Sequence, residues 1–163
     1  MLGLERLWVF GFYPPTHVFP RSDGWQFAPL YMIYDIKHNG RYKARLVCGG
    51  NVLDTSKFTT YSSTIQSLTV QMLMVVAVQN NLQFLAGDVG NAFPTAPCME
   101  KVWTTAGPEF GEKQGAKVSI NRALYGMATA SRAFHEFFGD TLCSLGFEPS
   151  RADQDLWIRP SNE

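Results

Sequence analysis

The residues best placed to do chemistry begin with Asp88, set between two glycines in LAGDVGNAF (85–93). An Asp that closes a buried strand and is followed by Gly offers its carboxylate at a sheet edge, where ligands collect. Hard Mg²⁺ ions take such oxygen ligands and share them with phosphates. Gly and Asp also both favour turns, and spacing alone favours that reading of GDVG. A second group is cationic: Lys37, Arg41, Lys43 and Arg45 fall within nine residues that hold no acid. Such a cluster is either a solvated hairpin or a phosphate-binding edge. A third is NRALYGMATASRAF (121–134), where Tyr125-Gly126 precedes small residues that open a helix. Glycine there lets a sugar or base approach the backbone closely, or it simply leads the chain into the helix.

The elements that must position these residues follow from local pattern. LYMIYDIK (30–37) and YKARLVCG (42–49) alternate around a turn centred on Asn39-Gly40, a strong hairpin signal. SSTIQSLTVQMLMVVAVQNN (62–81) opens on Ser/Thr capping candidates, is apolar on nearly every side and ends at Asn80-Asn81, which predicts a buried helix. LQFLAGDV (82–89) is short and apolar, which predicts a central strand ending at Asp88. EKVWTTA (100–106) and AKVSI (116–120) read as strands around a loop at 107–115. Residues 129–147 read as an amphipathic helix closed by Gly146, and DLWIR (155–159) as the start of a strand. Residues 1–29, rich in Pro, Gly and aromatics, read as irregular. The expectation is an α+β domain over 30–163, a hairpin followed by a strand-and-helix core whose sheet is cut short.

Composition narrows the field without choosing a partner. The chain has 163 residues, 45% of them apolar, and its 14 basic and 14 acidic side chains cancel. That length supports a core and one domain. Cys48, Cys98 and Cys143 are odd in number and lack CxxC spacing, which argues against a disulfide scaffold or zinc site. Scattered thiols fit a reducing intracellular compartment, whether cytoplasm, a particle or the nucleus. The longest apolar run, VQMLMVVAV (70–78), is too short to span a bilayer, and the first residues do not read as a leader.

Taken in order, YKARLVCGGNV (42–52), TVQMLMVVAVQNNLQF (69–84), GDVGNAF (87–93), EKVWTTAGPEFG (100–111), RALYGMATASRAFHEFFGDTLCSLGF (122–147) and SRADQDLWIR (150–159) resemble the reverse transcriptase domain of copia-type retrotransposons. The resemblance covers roughly residues 30–159. It implies a right-hand polymerase, here fingers and partial palm, that copies RNA into DNA by phosphoryl transfer with two Mg²⁺ ions. Its partners would be an RNA template, a DNA primer and dNTPs. By position, Asp88 matches the first catalytic aspartate and the carbonyl of Val89 completes one ion's shell. The amides of Asn91 and Ala92 would lie near the triphosphate, and Phe93 matches the bulky residue that excludes a ribose 2′-hydroxyl. Lys43 and Arg45 fall on the fingers hairpin, where one or the other would hold the triphosphate, and Tyr125 and Gly126 would line the dNTP and template pocket; read simply as a nucleic-acid-binding edge, the same hairpin also offers Lys37 and Arg41. Two metals stabilise the attacking and leaving oxygens, and the protein supplies mainly positioning and positive charge.

The departures are specific. The family's other two carboxylates lie in a Tyr-x-Asp-Asp turn, and these 163 residues hold no Asp-Asp dipeptide. Asp153 and Asp155 precede the last strand, where they are poor substitutes. Ser131 stands where many relatives have Pro, Ala128 where they have a basic residue, and PTAPCME (94–100) replaces a longer acidic stretch. The expectation is therefore a fragment that is inactive alone. The alternatives are a non-catalytic nucleic-acid-binding remnant using the hairpin 37–45, and a gene remnant that does not fold stably.

Overall fold

A computed structural model describes residues 8–160. In chain order the elements are β1 (Phe10–Tyr13), β2 (Gln26–Phe27), β3 (Leu30–Ile36), β4 (Tyr42–Cys48), α1 (Ser67–Gln79), the one-turn α2 (Ala92–Thr95), β5 (Pro97–Thr105), β6 (Lys117–Arg122), α3 (Ala130–Ser144), β7 (Glu148–Pro149) and β8 (Trp157–Ile158). The class is α+β, as expected. Two compact units divide them: one gathers the described residues up to Tyr61 with Asn91–His135, the other Ser62–Gly90 with the described residues from Glu136 onward.

In the first unit a four-stranded sheet has the order β1-β6-β5-β2, antiparallel except for the parallel β2–β5 pair. The stretch expected to be irregular thus supplies both edge strands, β1 and β2, while residues 1–7 lie outside the described residues. The physical reason is pairing: FGFY has little signal alone, but Phe10 to Tyr13 register against Ile120 to Lys117 and complete the sheet. Along β5 the alternation turns Glu100, Val102 and Thr104 inward. They meet a core of Val9, Ile120, Leu124, Met127, Ala130 and Ala133. A second cluster gathers Leu46, Ala106, Phe110 and Val118, with the Phe10 ring edge-on to Phe110 at 5.3 Å.

β3 and β4 form the expected hairpin, in register from Leu30↔Cys48 to Ile36↔Tyr42. Gly40 takes φ +74 and Asn39 Oδ1 accepts the Arg41 N–H. The turn is centred one residue earlier than expected: the Gly40 N–H bonds to the Lys37 carbonyl at 2.8 Å, so His38 and Asn39 are its central residues and Gly40 takes the left-handed position that follows them. The expected strand at 100–106 begins earlier, at Pro97, and a 3-10 turn (Pro108–Lys113) occupies the expected loop.

In the second unit α1 forms, but two expectations fail. Of its residues only Ala77 is buried, so the helix is not enclosed. Its Ncap is Gln66 rather than Ser or Thr, and the Ncap N–H is met from 87 residues away. Asp153 Oδ2 accepts the Gln66 N–H at 3.0 Å and the Thr69 hydroxyl at 2.7 Å. The expected Asn stop is present: Asn81 takes φ +53 and the Leu82 and Asn81 N–H groups bond to Ala77 and Val78 carbonyls, a Schellman closure. The third correction concerns 82–89, which forms no strand and is exposed throughout. A central strand needs ladders on both sides, and among the described residues nothing pairs with it. The last expected strand is reduced to Trp157–Ile158, paired with Glu148–Pro149.

These hydrogen bonds, with one from the Asp155 N–H, hold the Asp153 carboxyl below its ordinary range. A lowered folded-state value means that the stabilisation is complete above the ordinary Asp range. It is lost as pH falls through the folded value, below about pH 4. Acid titration of the thermal midpoint should show a fall there that Asp153→Asn lacks. Identical acid profiles for the two proteins would refute this role of Asp153.

Candidate functional site

The candidate residues are positioned chiefly by one strand and one glycine. Period-two alternation along β4 sets Lys43, Arg45 and Val47 on one face and Leu46 and Cys48 on the buried other. At its end the strand meets the segment before α3. The Cys48 N–H donates to the Tyr125 carbonyl at 2.8 Å, and Val47 forms an isolated parallel bridge with Tyr125. Gly126, at φ +91, allows this approach: a Cβ there would collide with the Cys48 carbonyl and stand 2.7 Å from Val47 Cγ1. Gly50 is its counterpart, since a Cβ on it would strike the Gly126 carbonyl and lie 2.9 Å from Met127 Cα. Gly126 thus meets a close backbone approach, and the group that makes it is the hairpin's own backbone.

Above this junction the side chains converge. The Arg45 guanidinium lies 5.7 Å from the Tyr125 ring centroid, within cation–π range. Phe93, carried on α2, is 4.9 Å from Tyr125 and 6.5 Å from Phe134, and it packs against the core. Asn91 precedes α2 in the left-handed region (φ +54) and is exposed, while Ala92 is half-buried. Lys43, half-buried, stands opposite Asp35, whose carboxylate accepts the Ile36 N–H. Lys37 and Arg41 flank the hairpin turn, joined by an N–H to carbonyl bond of 2.9 Å. The structure thus brings Arg45, Phe93, Tyr125 and Gly126 together from three distant stretches. Asp88 and Val89 belong to the other unit and are exposed on unpaired chain.

Among the described residues no three His, Cys, Asp or Glu side chains gather as metal ligands. One exposed carboxylate does not make a two-metal site, so the described residues do not fit the pair of Mg²⁺ ions that the resemblance implies, and no step is derived through them. No helix among the described residues is long and apolar enough to cross a membrane.

Beneath the site lies a polar cluster that the sequence reading missed. Glu100 and Thr129 are both buried, and the Thr129 hydroxyl donates to Glu100 Oε1 at 2.6 Å. The Cys98 thiol faces Glu100 Oε2 at 3.7 Å. Burial first, and then the nearby Glu100 charge, push the Cys48 and Cys98 thiols up to about 12, so neither is a nucleophile at neutral pH. The signal was available: alternation in EKVWTTA sets Glu100 on the same face as Val102 and Thr104.

A family model described as reverse transcriptase (RNA-dependent DNA polymerase) matches residues 18–163. The retrovirus-related Pol polyprotein from transposon RE1 of Arabidopsis thaliana is 32% identical over 151 residues, which cover 89% of this chain and 10% of that protein. The corresponding polyprotein from transposon RE2, also of Arabidopsis thaliana, is 31% identical over 124 residues, 72% of this chain and 8% of its own length. The chain spans about a tenth of the length of the curated relatives it matches. No solved structure matches it.

Proposed function

The chain belongs to the reverse transcriptase (RNA-dependent DNA polymerase) family, of copia type, and we propose that its first compact unit is the nucleotide-facing part of a right-hand polymerase, comprising fingers and partial palm. The observation that carries this reading is the convergence of Arg45, Phe93 and Tyr125 on the Gly126 junction. Triphosphate recognition needs fixed positive charge beside a shaped apolar surface, and this arrangement supplies both. In it Lys43 and Arg45 hold the triphosphate of a dNTP, with the amides of Asn91 and Ala92 beside it. Phe93, backed by Tyr125 and Phe134, limits the room beside the sugar. Lys37 and Arg41 extend the cationic edge toward an RNA template and its DNA primer.

Asp88 is one of the three acidic groups that the resemblance requires, and it cannot supply the chemistry alone. The isolated 163-residue chain is therefore expected to bind dNTP without polymerising it. With a DNA primer on an RNA template, Mg²⁺ and dNTPs, extension should not exceed buffer. Removing both Lys43 and Arg45 as alanines should weaken dNTP affinity about tenfold or more, in line with the loss of charge-assisted contacts. Robust extension that Asp88→Ala abolishes would overturn the inactivity, and dNTP affinity indifferent to both cations would overturn the site.

The hairpin's charges also support a simpler activity, salt-dependent binding of nucleic acid without catalysis. The two readings separate on competition. A dNTP that displaces nothing from the hairpin favours the simpler one.

A further inference from the structure

Between residues 62 and 90 the chain carries one charged side chain, Asp88. Within that stretch eleven large apolar side chains from Leu68 to Val89 stand exposed, all in the second unit. Seven of them lie on α1, where Ala77 alone is buried. The helical period sets Leu68, Met72, Val75 and Gln79 on the face opposite Ala77, at spacings of four, three and four. That is the spacing of a coiled-coil seam, in which each side chain seats between residues of a facing helix. Its three apolar members are 63%, 59% and 56% exposed, so the seam is open along its length.

The helix is fixed at both ends before any partner arrives. Asp153 Oδ2 accepts the Gln66 N–H and the Thr69 hydroxyl, and the Asn81 and Leu82 N–H groups close the last turn. Docking on this face therefore orders little backbone, which keeps the cost of association low.

The chemistry of the face narrows what can cover it. A helix that lies on a lipid surface turns a cationic face to the headgroups, and Ser67–Gln79 holds no Lys or Arg. A charged partner would find no ion pair here and would shed its own hydration against apolar surface. An identical helix meets neither cost. Turned about a two-fold axis between Met72 and Val75, it sets Met72 against Val75 of the second copy and Leu68 against Gln79, with the helix dipoles antiparallel. At roughly 60–120 Å² for each fully exposed apolar side chain, the eleven offer about 400–800 Å² per copy. Stable interfaces use about 800 Å² from each partner and weaker ones less, so the face suffices for a dimer of moderate affinity. We propose that two copies of this chain associate through an antiparallel pair of α1 helices seamed by Leu68, Met72 and Val75. The surface uses no residue of the Arg45–Phe93–Tyr125 site.

Sedimentation equilibrium of the full chain tests this across the micromolar range. The average mass should rise from one chain toward two, with no larger species. Met72→Glu brings like charges together near the axis and should raise the dissociation constant about a hundredfold. The side chain is exposed, so far-UV circular dichroism should stay that of the parent. Adding Val75→Lys to Met72→Glu sets opposite charges across the two-fold and should recover most of the loss, which a merely structural role would not. Met74→Glu, exposed but off the seam, should leave association nearly unchanged. A chain that stays monomeric overturns the proposal, as does a dimer indifferent to Met72→Glu or weakened further by Val75→Lys. Flotation with phosphatidylcholine vesicles is the remaining arm: a monomer that binds them, and loses them with Met72→Glu, would assign the face to lipid instead. Any of these failures leaves the dNTP reading standing.

Discussion

Gly126→Ala should destabilise the first unit by about 2–6 kcal/mol, a large part of the roughly 5–15 kcal/mol that holds a domain folded. Two costs combine. A side chain held in left-handed backbone costs about 1–3 kcal/mol, and Gly126 sits at φ +91. Overpacking adds about 1–3 kcal/mol. Here it is not relieved by a rotamer change, because the new Cβ meets the Cys48 backbone carbonyl. The hairpin would have to withdraw, breaking the Cys48 N–H to Tyr125 carbonyl bond and the Val47–Tyr125 bridge. Gly50→Ala opens the same junction from the other side, so the double variant should lose less than the sum of the singles. Urea denaturation measures all three. A Gly126→Ala protein with the parent's midpoint would show that the hairpin is not seated on Tyr125.

Thr129→Val should cost about 1–3 kcal/mol, toward the upper end because the group it deserts is a carboxylate. Valine matches threonine in volume, so the change removes one hydroxyl donor and little else. Thr129 is 1% exposed and Glu100 4%, so water cannot replace the donor without entering the core. The Cys98 thiol at 3.7 Å is a weak substitute. Glu100→Gln keeps the shape and an acceptor for Thr129 while neutralising the buried group. In that background Thr129→Val should cost less, and the difference measures the coupling. Equal losses in both backgrounds would mean that the hydroxyl contributes packing alone.

Both predictions concern residues whose importance is invisible in their own neighbourhood of the sequence. Gly126 was legible as a backbone requirement, but its partner was not, because Gly50 and Gly126 meet only when β4 closes on the segment before α3. Glu100 was legible as inward-facing by alternation, yet nothing in EKVWTTA names Thr129 as its donor. The cationic set was readable from local charge, and the structure places Arg45 on the Tyr125 ring while leaving Lys37 and Arg41 at the turn. Asp88 shows the reverse failure. A short apolar run predicts a strand only if partners exist, and 82–89 has none among the described residues.

By itself the sequence determined the features set by neighbours along the chain: the hairpin and the left-handed glycine of its turn, the Asn81 and Gly146 helix stops, the β5 alternation and the ordered motifs that identify the family. Steric preference at a turn and side-chain period in a strand are local, so they survive without knowledge of the fold. Tertiary structure decided what depends on pairing across distance. It recruited FGFY as an edge strand, made Asp153 the cap of a helix 87 residues away, and pinned Asp54 to Gln26 across 28. In each case a polar backbone or side-chain group needed a partner that no nearby residue could supply.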